Sequence, residues 1–311
     1  MSFTCAAPAK LNLCLYLGPT REDGLHELVS MFDSFSLLDH LTLKTAASED
    51  PSGDTIDTVV CKAVAGENLV QRALAACRAN ALLSGPAVEI TIDKQIPIAA
   101  GLGGGSADAA AALRMVAALY DRDLAEFDRL AFELGADVPS QLRPGATLVH
   151  GAGEHVIPVD PRCLTKARRA YVVVAQQQGL STAEVFQQAD RINLPRENID
   201  ATSEVLVSTL TNGLTLDGLC ELVHNELTPA IVSLRPELEL VPQQLRDAGA
   251  LVAEFTGSGP TCFGIFPSLV AAQTAAEQLR AAGHDARAGE PVGAQAAQPH
   301  KLKEDRHKEL R

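Results

Sequence analysis

Residues 97–106 read P-I-A-A-G-L-G-G-G-S, so four of these ten residues are glycine, and an alanine-rich stretch with helical character follows directly. Glycine lets the backbone approach a ligand closely and adopt positive φ. The unpaired N–H groups and the dipole at the start of a helix attract anions. The segment therefore predicts an anion-binding loop, and phosphate is the usual anion at such a loop.

Three other glycine-rich phosphate loops do not fit this segment. The G-x-x-x-x-G-K-[ST] pattern is missing, and the sixth position of a G-x-G-x-x-G fingerprint is Ser106. Asp121 and Asp123 lie near the spacing of the acidic Rossmann residue, but they follow a predicted helix. No H-R-D or D-F-G sequence follows, as a protein kinase would require. A tight turn with a helix C-cap, or a flexible linker, is the alternative. Ser106, which can cap a helix or bind a ligand, and the helix that begins immediately argue against it.

Composition limits the class of protein. The 311 residues suffice for two domains, and 46% of them are apolar. No apolar run reaches the roughly 18 residues that cross a membrane, and the first residues lack the pattern of a signal peptide. A net charge of −13 opposes non-specific binding to nucleic acid. The seven cysteines form no C-x-x-C pair, which indicates free thiols in a reducing cytoplasm.

The pattern of apolar residues predicts the elements that position this loop. We expect strands at residues 4–16, 34–45, 56–61, 88–92, 146–150, 154–159, 171–175, 250–255 and 261–266 and around Ala286. We expect helices at residues 68–83, 106–120, 124–134, 181–189, 204–211, 215–222, 236–248 and 268–282. Because these elements do not alternate strictly, an α+β fold is favoured. The predicted domains are residues 1–160 and 161–290, followed by a mobile, disordered tail at 291–311.

Three segments, taken in order, resemble the GHMP kinases, the superfamily of galactokinase, homoserine kinase, mevalonate kinase and phosphomevalonate kinase. They are P-A-K-L-N-L at 8–13, K-Q-I-P-I-A-A-G-L-G-G-G-S-A-D-A-A at 94–110 and G-S-G-P-T-C-F at 257–263. Within the superfamily, G-L-H at 24–26, G-A-D-V-P at 135–139 and T-A-E-V-F at 182–186 are similar to the 4-diphosphocytidyl-2-C-methyl-D-erythritol kinases. The resemblance covers residues 5–290.

The resemblance implies a fold and a reaction. The N-terminal domain would be ribosomal-protein-S5-like (domain 2) and the C-terminal domain ferredoxin-like, with the active site in the cleft between them. The enzyme would transfer the γ-phosphate of ATP to the 2-hydroxyl of a cytidine-diphosphate-linked methylerythritol in isoprenoid biosynthesis. Mg²⁺ is implied by ATP chemistry, and no metal ligands are identified. The expected partner is this small molecule, with no nucleic acid or membrane, and the protein would be a monomer or weak homodimer.

The resemblance also assigns residues to ATP. Phosphates would lie in the glycine loop, and the adenine side would meet Asn68 and Lys94, whose alternatives are a helix N-cap and a solvated lysine. Ser106 could also touch Mg²⁺. The full ATP set is Asn68, Lys94, Pro97, Gly101, Leu102, Gly103, Gly104, Gly105 and Ser106.

Asp137 is the expected catalytic base, with Lys10 beside it to orient the attacking hydroxyl. An ordinary N-cap before Pro139 is the alternative for Asp137, and a solvated strand lysine is the alternative for Lys10. Four other acidic residues are expected to be structural: Asp33, Asp39, Asp108 and Glu154.

The substrate would be held at its base and at its diphosphate. His26 would hydrogen-bond the cytosine, and Phe186 would stack on it. Members of the family usually carry a tyrosine at the position of Leu25, so an aliphatic side chain would cover the other face of the base here. The remaining substrate residues would be Asn12, Thr182, Gly257, Ser258 and Gly259. The alternatives are a surface-loop histidine for His26, a core residue of an amphipathic helix for Phe186, a structural strand residue for Asn12 and a hairpin turn for the second glycine segment.

Three other functions remain open at this point. A homoserine- or mevalonate-type kinase would share the loop but would have no cytosine for His26 and Phe186 to recognise. A nucleotide sensor without catalysis would be expected to lack Lys10, Asp137 or the glycines. A nucleic-acid-binding module is suggested only by the ribosomal-protein-like fold and is opposed by the acidic charge.

Overall fold

The computed structural model describes residues 1–46, 56–64, 66 and 68–302. Its strands are β1 (Ser2–Thr20), β2 (His26–Thr45), β3 (Thr58–Cys61), β4 (Val88–Asp93), β5 (Thr147–Gly151), β6 (His155–Pro158), β7 (Ala170–Ala175), β8 (His224–Asn225), β9 (Val252–Phe255), β10 (Cys262–Phe266), β11 (Asp285–Gly289) and β12 (His300–Lys301). Its α-helices are α1 (Leu69–Ala79), α2 (Gly104–Leu119), α3 (Asp128–Leu134), α4 (Val138–Leu142), α5 (Thr182–Arg191), α6 (Asp200–Thr211), α7 (Leu216–Leu222), α8 (Thr228–Leu234), α9 (Val241–Asp247) and α10 (Leu269–Ala281). Within these ranges, no helix is long and apolar enough to cross a membrane.

The expected α+β organisation is confirmed. An eight-stranded sheet has the central order β12-β1-β2-β4-β3, with β5 and β6 added along β2 and β8 added along β1. The long antiparallel pair β1–β2 places Lys10 opposite Ser34 and Asn12 opposite Phe32. Irregularities in the β1–β2 register, one of them directly after Asn12, change which residues face each other along the pair. This hairpin carries several of the candidate site residues.

Helix α2 lies in the middle of the N-terminal core. Its alanine-rich sequence is buried continuously from Ala107 to Ala117, because small side chains let it pack against β1, α1 and α4 on all sides. Arg114 ends in this core, where its guanidinium donates to the carbonyls of Ala6 and Gln141. The helix that follows the glycine loop is therefore fixed rigidly to the sheet.

The second half of the chain forms a four-stranded antiparallel sheet in the order β11-β7-β10-β9. Together with the helices between β7 and β9 and helix α10 before β11, it gives a β-α-β-β-α-β order of elements. The two halves are joined by a buried polar cluster, in which Asp33 of β2 accepts from the Arg169 guanidinium and from the Tyr171 hydroxyl.

The expectation of a mobile tail is wrong for residues 291–302. Pro291 bridges to Phe35, the Ala297 carbonyl accepts from the Cys5 thiol, and β12 pairs with β1. Ala297 is fully buried. The composition of this segment is polar, but its backbone completes an edge of the N-terminal sheet, so tertiary pairing orders it. Residues 303–311 lie outside the described residues.

Candidate active site

The glycine loop turns sharply into α2. Gly101 has φ +77° and Gly103 has φ +67°, and Gly103 is the residue before the first helical turn. A β-carbon on Gly103 would lie 2.8 Å from Cγ of Lys10. Both positions therefore require glycine, Gly101 for its left-handed backbone and Gly103 also for the close approach of β1.

A cleft of about 390 Å³ opens beside this loop, and we call it the glycine-loop cleft. It is lined by Cys61, Val64, Asn68, Leu69, Val70, Ile92, Lys94, Pro97, Ile98, Ala99, Ala100, Gly101, Leu102, Gly103, Gly104, Gly105, Ser106 and Asp108. Every residue that the sequence assigned to ATP is in this set. The first N–H groups of α2 are free of intrahelical partners there, as at any helix start.

The helix start differs from the expectation in one respect. Ser106 is the third residue of α2, and the N-cap is Gly103, which provides no side-chain hydrogen bond. The N-cap role considered for Ser106 is therefore wrong. Asn68 does cap a helix, because its side chain accepts from the N–H of Gln71 at 3.1 Å, and it also lines the cleft.

Lys10 and Asp137 meet beside the loop. Nζ of Lys10 lies 3.4 Å from Oδ2 of Asp137, and the side chains are 6% and 35% exposed. The Lys10 N–H donates to the carbonyl of Leu102 at 3.0 Å, which fastens β1 to the glycine loop. Asp137 stands at the start of α4 but makes no capping hydrogen bond. Asp137 thus holds the N-cap position before Pro139, as the alternative expected, but without a capping side chain. The solvated alternative for Lys10 is wrong, because its side chain is buried.

Asn12 supports Lys10 from the same strand. Its Oδ1 accepts from Nζ of Lys10 at 2.6 Å, and its Nδ2 donates to Oγ of Ser30 at 3.0 Å. The Asn12 N–H donates to Oγ1 of Thr256, which lies immediately before the second glycine segment. Lys10 also lies over the ring of Phe32, with 4.6 Å from Nζ to the ring centroid. These contacts aim the ammonium at Asp137.

The second glycine segment, residues 257–259, packs directly against the first. A β-carbon on Gly101 would lie 2.5 Å from the carbonyl oxygen of Gly259, and one on Gly257 would lie 3.0 Å from Oδ1 of Asn12. Asn225 holds this turn by donating from Nδ2 to the carbonyl of Gly257 at 2.8 Å. The turn connects β9 to β10, so the second glycine segment is a hairpin turn, as the alternative expected. The same turn also lies beside Lys10 and Asn12.

Lys94 is not a solvated lysine. Its Nζ donates to Oδ2 of Asp39 at 2.6 Å and to Oδ2 of Asp108 at 2.8 Å, and its side chain is 9% exposed. Burial lowers the pKa of Lys94, but the two carboxylates outweigh it and raise that pKa. Burial also raises the pKa of Asp108 to about 7, although Lys94 opposes the shift. The ammonium lies under Gly104, so the three side chains support the floor of the glycine-loop cleft.

The residues expected to bind the cytosine base of the substrate form a second group. The rings of His26 and Phe186 are 5.1 Å apart at 41°, and Leu25 is 46% exposed beside them. Oγ1 of Thr182 and Oγ of Ser258 are 3.0 Å apart, which links helix α5 to the second glycine segment. The structure thus connects the candidates from the two halves of the chain.

Sequence reasoning missed several residues around these groups. Asp39 and Asp108 are structural as expected, but they act directly on Lys94. Thr256 and Asn225 hold the backbone near Lys10, and Asp190 contacts His26. No local signal could have found these residues, because their partners lie tens to hundreds of positions away in the sequence.

Comparison with known proteins finds two family models that match parts of the chain. The family model described as the GHMP kinases N terminal domain matches residues 68–145, and that of the GHMP kinases C terminal matches residues 212–285. A protein of a Nocardioides species named 4-diphosphocytidyl-2-C-methyl-D-erythritol kinase is 38% identical over 286 residues, which cover 89% of this chain and 93% of that protein. A protein of Nocardia farcinica with the same name is 39% identical over 294 residues, or 89% of each chain.

Solved structures give the same similarity in three dimensions. The crystal structure of a 4-(cytidine 5'-diphospho)-2C-methyl-D-erythritol kinase matches with a TM-score of 0.72 and 32% identity, covering 93% of this chain and 99% of that chain. A homoserine kinase from Cytophaga hutchinsonii matches with a TM-score of 0.66 over 96% of each chain. Its identity is 20%, so this second match shows a shared fold alone.

Proposed function

This chain belongs to the family of 4-diphosphocytidyl-2-C-methyl-D-erythritol kinases, and from that premise we propose how its residues carry out the reaction. The enzyme is an ATP-dependent small-molecule kinase that phosphorylates the 2-hydroxyl of 4-diphosphocytidyl-2-C-methyl-D-erythritol in isoprenoid precursor biosynthesis. The oxygen of that hydroxyl forms a bond to the γ-phosphorus of ATP. The bond from the γ-phosphorus to the bridging oxygen breaks, and ADP leaves.

The observation that carries the proposal is the contact between Lys10 and Asp137 beside the glycine loop. The hydroxyl must lose a proton as it attacks, and a carboxylate within hydrogen-bond reach is a suitable acceptor. In our proposal Asp137 takes this proton, and Lys10 keeps the carboxylate oriented. Asn12 accepts from Lys10 and is a positioning residue that prevents the ammonium from turning away.

The glycine-loop cleft is the proposed ATP site. The free N–H groups of the first turn of α2 would bind the phosphate oxygens, since donors fixed in advance cost no reorganisation during the reaction. Lys94 already donates to Asp39 and Asp108, so we assign it to the support of the loop as well as to the adenine side. Asn68, at the start of α1, lines the same cleft.

The residues present fit a magnesium ion that arrives with ATP. Among the described ranges, no group of three or more histidine, cysteine or carboxylate side chains could hold a metal. Mg²⁺ typically keeps several waters and binds substrate phosphates with one or two protein oxygens. The Ser106 hydroxyl in the cleft is the oxygen that we propose for it. When bound, the ion would neutralise phosphate charge.

We also propose where the active site lies between the two halves of the chain, where the domains divide and where the protein is located. Packing of Gly101 against Gly259 supports an active site between the two halves of the chain. The divisions at residues 1–160 and 161–290 remain our proposal, as does the ribosomal-protein-like character of the first domain. All seven cysteines are unpaired, which supports a reducing, cytoplasmic location.

The substrate base would lie near His26 and Phe186, with Leu25 on its open side, and its diphosphate near the second glycine segment. The alternatives of a homoserine- or mevalonate-type kinase and of a sensor without catalysis are not favoured. Similarity to a homoserine kinase is limited to the fold, and the Lys10–Asp137 pair is present.

Replacing Asp137 tests the proposal. Positioned proton transfer contributes about 10²- to 10⁴-fold, so Asp137→Asn should lower kcat by about that factor with little change in the KM for ATP. The assay is ADP release with the cytidyl substrate and with its analogue that lacks the cytidyl group. Glu133→Gln, an exposed carboxylate on the preceding helix, is the matched control. An Asp137→Asn enzyme within about threefold of wild type would remove Asp137 from the mechanism.

A further inference from the structure

His26 has a second partner besides Phe186. Its Nε2 lies 2.8 Å from Oδ1 of Asp190 and 3.1 Å from Oγ1 of Thr20. The His26 side chain is 7% exposed and that of Asp190 is 45% exposed, so the contact joins the buried ring to the surface of helix α5. Among the described residues, the other ring nitrogen, Nδ1, has no hydrogen-bond partner.

The partners of Nε2 determine where the proton of the ring resides. A carboxylate can only accept a hydrogen bond, so the 2.8 Å contact with Asp190 requires a hydrogen on Nε2. A neutral imidazole carries one N–H, and its other nitrogen is an acceptor. In the neutral ring, Asp190 therefore makes Nδ1 of His26 an acceptor.

Helix α5 itself does not explain an aspartate at this position. Asp190 lies in the last turn of the helix, where the dipole disfavours a negative charge. Phe186 lies one turn earlier, and residues four apart share a helix face. One face of α5 thus presents a ring and a carboxylate to the same histidine.

We propose that Asp190 is a positioning residue that selects cytosine over uracil by fixing the tautomer of His26. The inference rests on the proposed function, because it takes His26 to face the substrate base. Cytosine carries an amino group at position 4, which is a donor, whereas uracil carries an oxygen there, which is an acceptor. An acceptor at Nδ1 pairs with the amino group and leaves the uracil oxygen facing another acceptor.

The expected preference follows from one unmade hydrogen bond. A buried polar group left without a hydrogen bond in the complex weakens binding by about 10- to 100-fold. The wild-type enzyme should therefore use the cytidyl substrate with a kcat/KM about 10- to 100-fold above that of its uridyl analogue. Because the effect concerns binding of the base, it should appear mainly in KM.

Two variants of Asp190 test the inference. Asp190→Ala removes the acceptor, and Asp190→Asn offers both a donor and an acceptor to Nε2, so neither fixes the tautomer. Both should reduce the ratio of kcat/KM for the cytidyl and uridyl substrates by about tenfold while kcat changes little. Glu184→Gln removes a negative charge from an exposed position of the same helix and should preserve the ratio. The ratio is internal to each variant, so a smaller active fraction does not affect it.

A spectroscopic measurement provides the second readout. The ¹⁵N shifts of His26, assigned with His26→Gln, should show a protonated Nε2 and an unprotonated Nδ1 in wild type and a mixture in Asp190→Ala. An unchanged substrate ratio in both Asp190 variants, or a wild-type Nδ1 that carries the proton, would overturn the inference. If wild type phosphorylates neither substrate, the proposed function fails, and the ¹⁵N shifts still decide the tautomer.

Discussion

Gly105 is a position where the fold alone would favour alanine and a bound phosphate would favour glycine. It is the second residue of α2, is solvent-exposed and lines the glycine-loop cleft. A β-carbon built on it would meet no atom within 4 Å, and its φ lies outside the left-handed region. Alanine in a helix is more favourable than glycine by about 0.5–1 kcal/mol in the interior. The fold alone would therefore prefer alanine here.

A bound phosphate would reverse this preference. If phosphate oxygens lie against the first turn of α2, the added methyl group of Gly105→Ala occupies their space and displaces at least one N–H contact. A hydrogen bond to a charged group is worth about 1.5–3 kcal/mol, so the Kd for ATP should rise roughly 10- to 150-fold. The free energy of unfolding should stay equal to wild type or increase by about 0.5 kcal/mol.

Two measurements on one protein test this reasoning. Titration calorimetry with ATP gives Kd, and urea unfolding without nucleotide gives the free energy of unfolding. Gly293→Ala is the control, because Gly293 also has open space around its Cα and lies outside the cleft. Wild-type ATP affinity in Gly105→Ala would show that no phosphate approaches this turn. A loss of stability in Gly105→Ala would instead mean that the helix start is packed differently.

Two further predictions concern the loop and helix α2, which follows it. Gly101→Ala should lower the free energy of unfolding by about 2–4 kcal/mol, because a β-carbon would strain a backbone at φ +77° and meet the Gly259 carbonyl at 2.5 Å. Urea unfolding checks this, and a loss below about 0.5 kcal/mol would contradict the packing of the two glycine segments. Burial raises the pKa of Asp108 from 3.8 to about 7, so folded wild type holds this proton longer than the unfolded chain and loses stability as pH rises through that window. The free energy of unfolding of Asp108→Asn minus that of wild type should therefore increase between these pH values, by an amount on the order of 4 kcal/mol. A difference that does not change with pH would refute this prediction.

Much of this architecture was predictable from local sequence. The alternation of Val88, Ile90 and Ile92 gave β4, and the glycine run marked the start of α2 within two residues. These signals are strong because burial of one face fixes the register of a strand. The family motifs also predicted that Lys10 lies beside Asp137, although 127 positions separate them.

Features that depend on distant partners were not predictable. The polar composition around Ala297 resembles a tail, yet pairing with β1 orders this segment. Lys94 has the character of a surface lysine until Asp39 and Asp108, 55 and 14 positions away, enclose it. Asp190 lies 164 positions from His26. Each of these pairs exists only after the chain folds, and no residue near any of them in sequence indicates its partner.

The β1–β2 hairpin carries Lys10 in the middle of one strand and His26 at the first residue of the other. If the base binds at His26 and the reacting hydroxyl at Lys10, as we propose, both ends of the substrate contact the same pair of strands. This pair of strands would then fix the spacing between the base and the hydroxyl. An analogue with a shorter or longer linker between them should therefore be phosphorylated poorly.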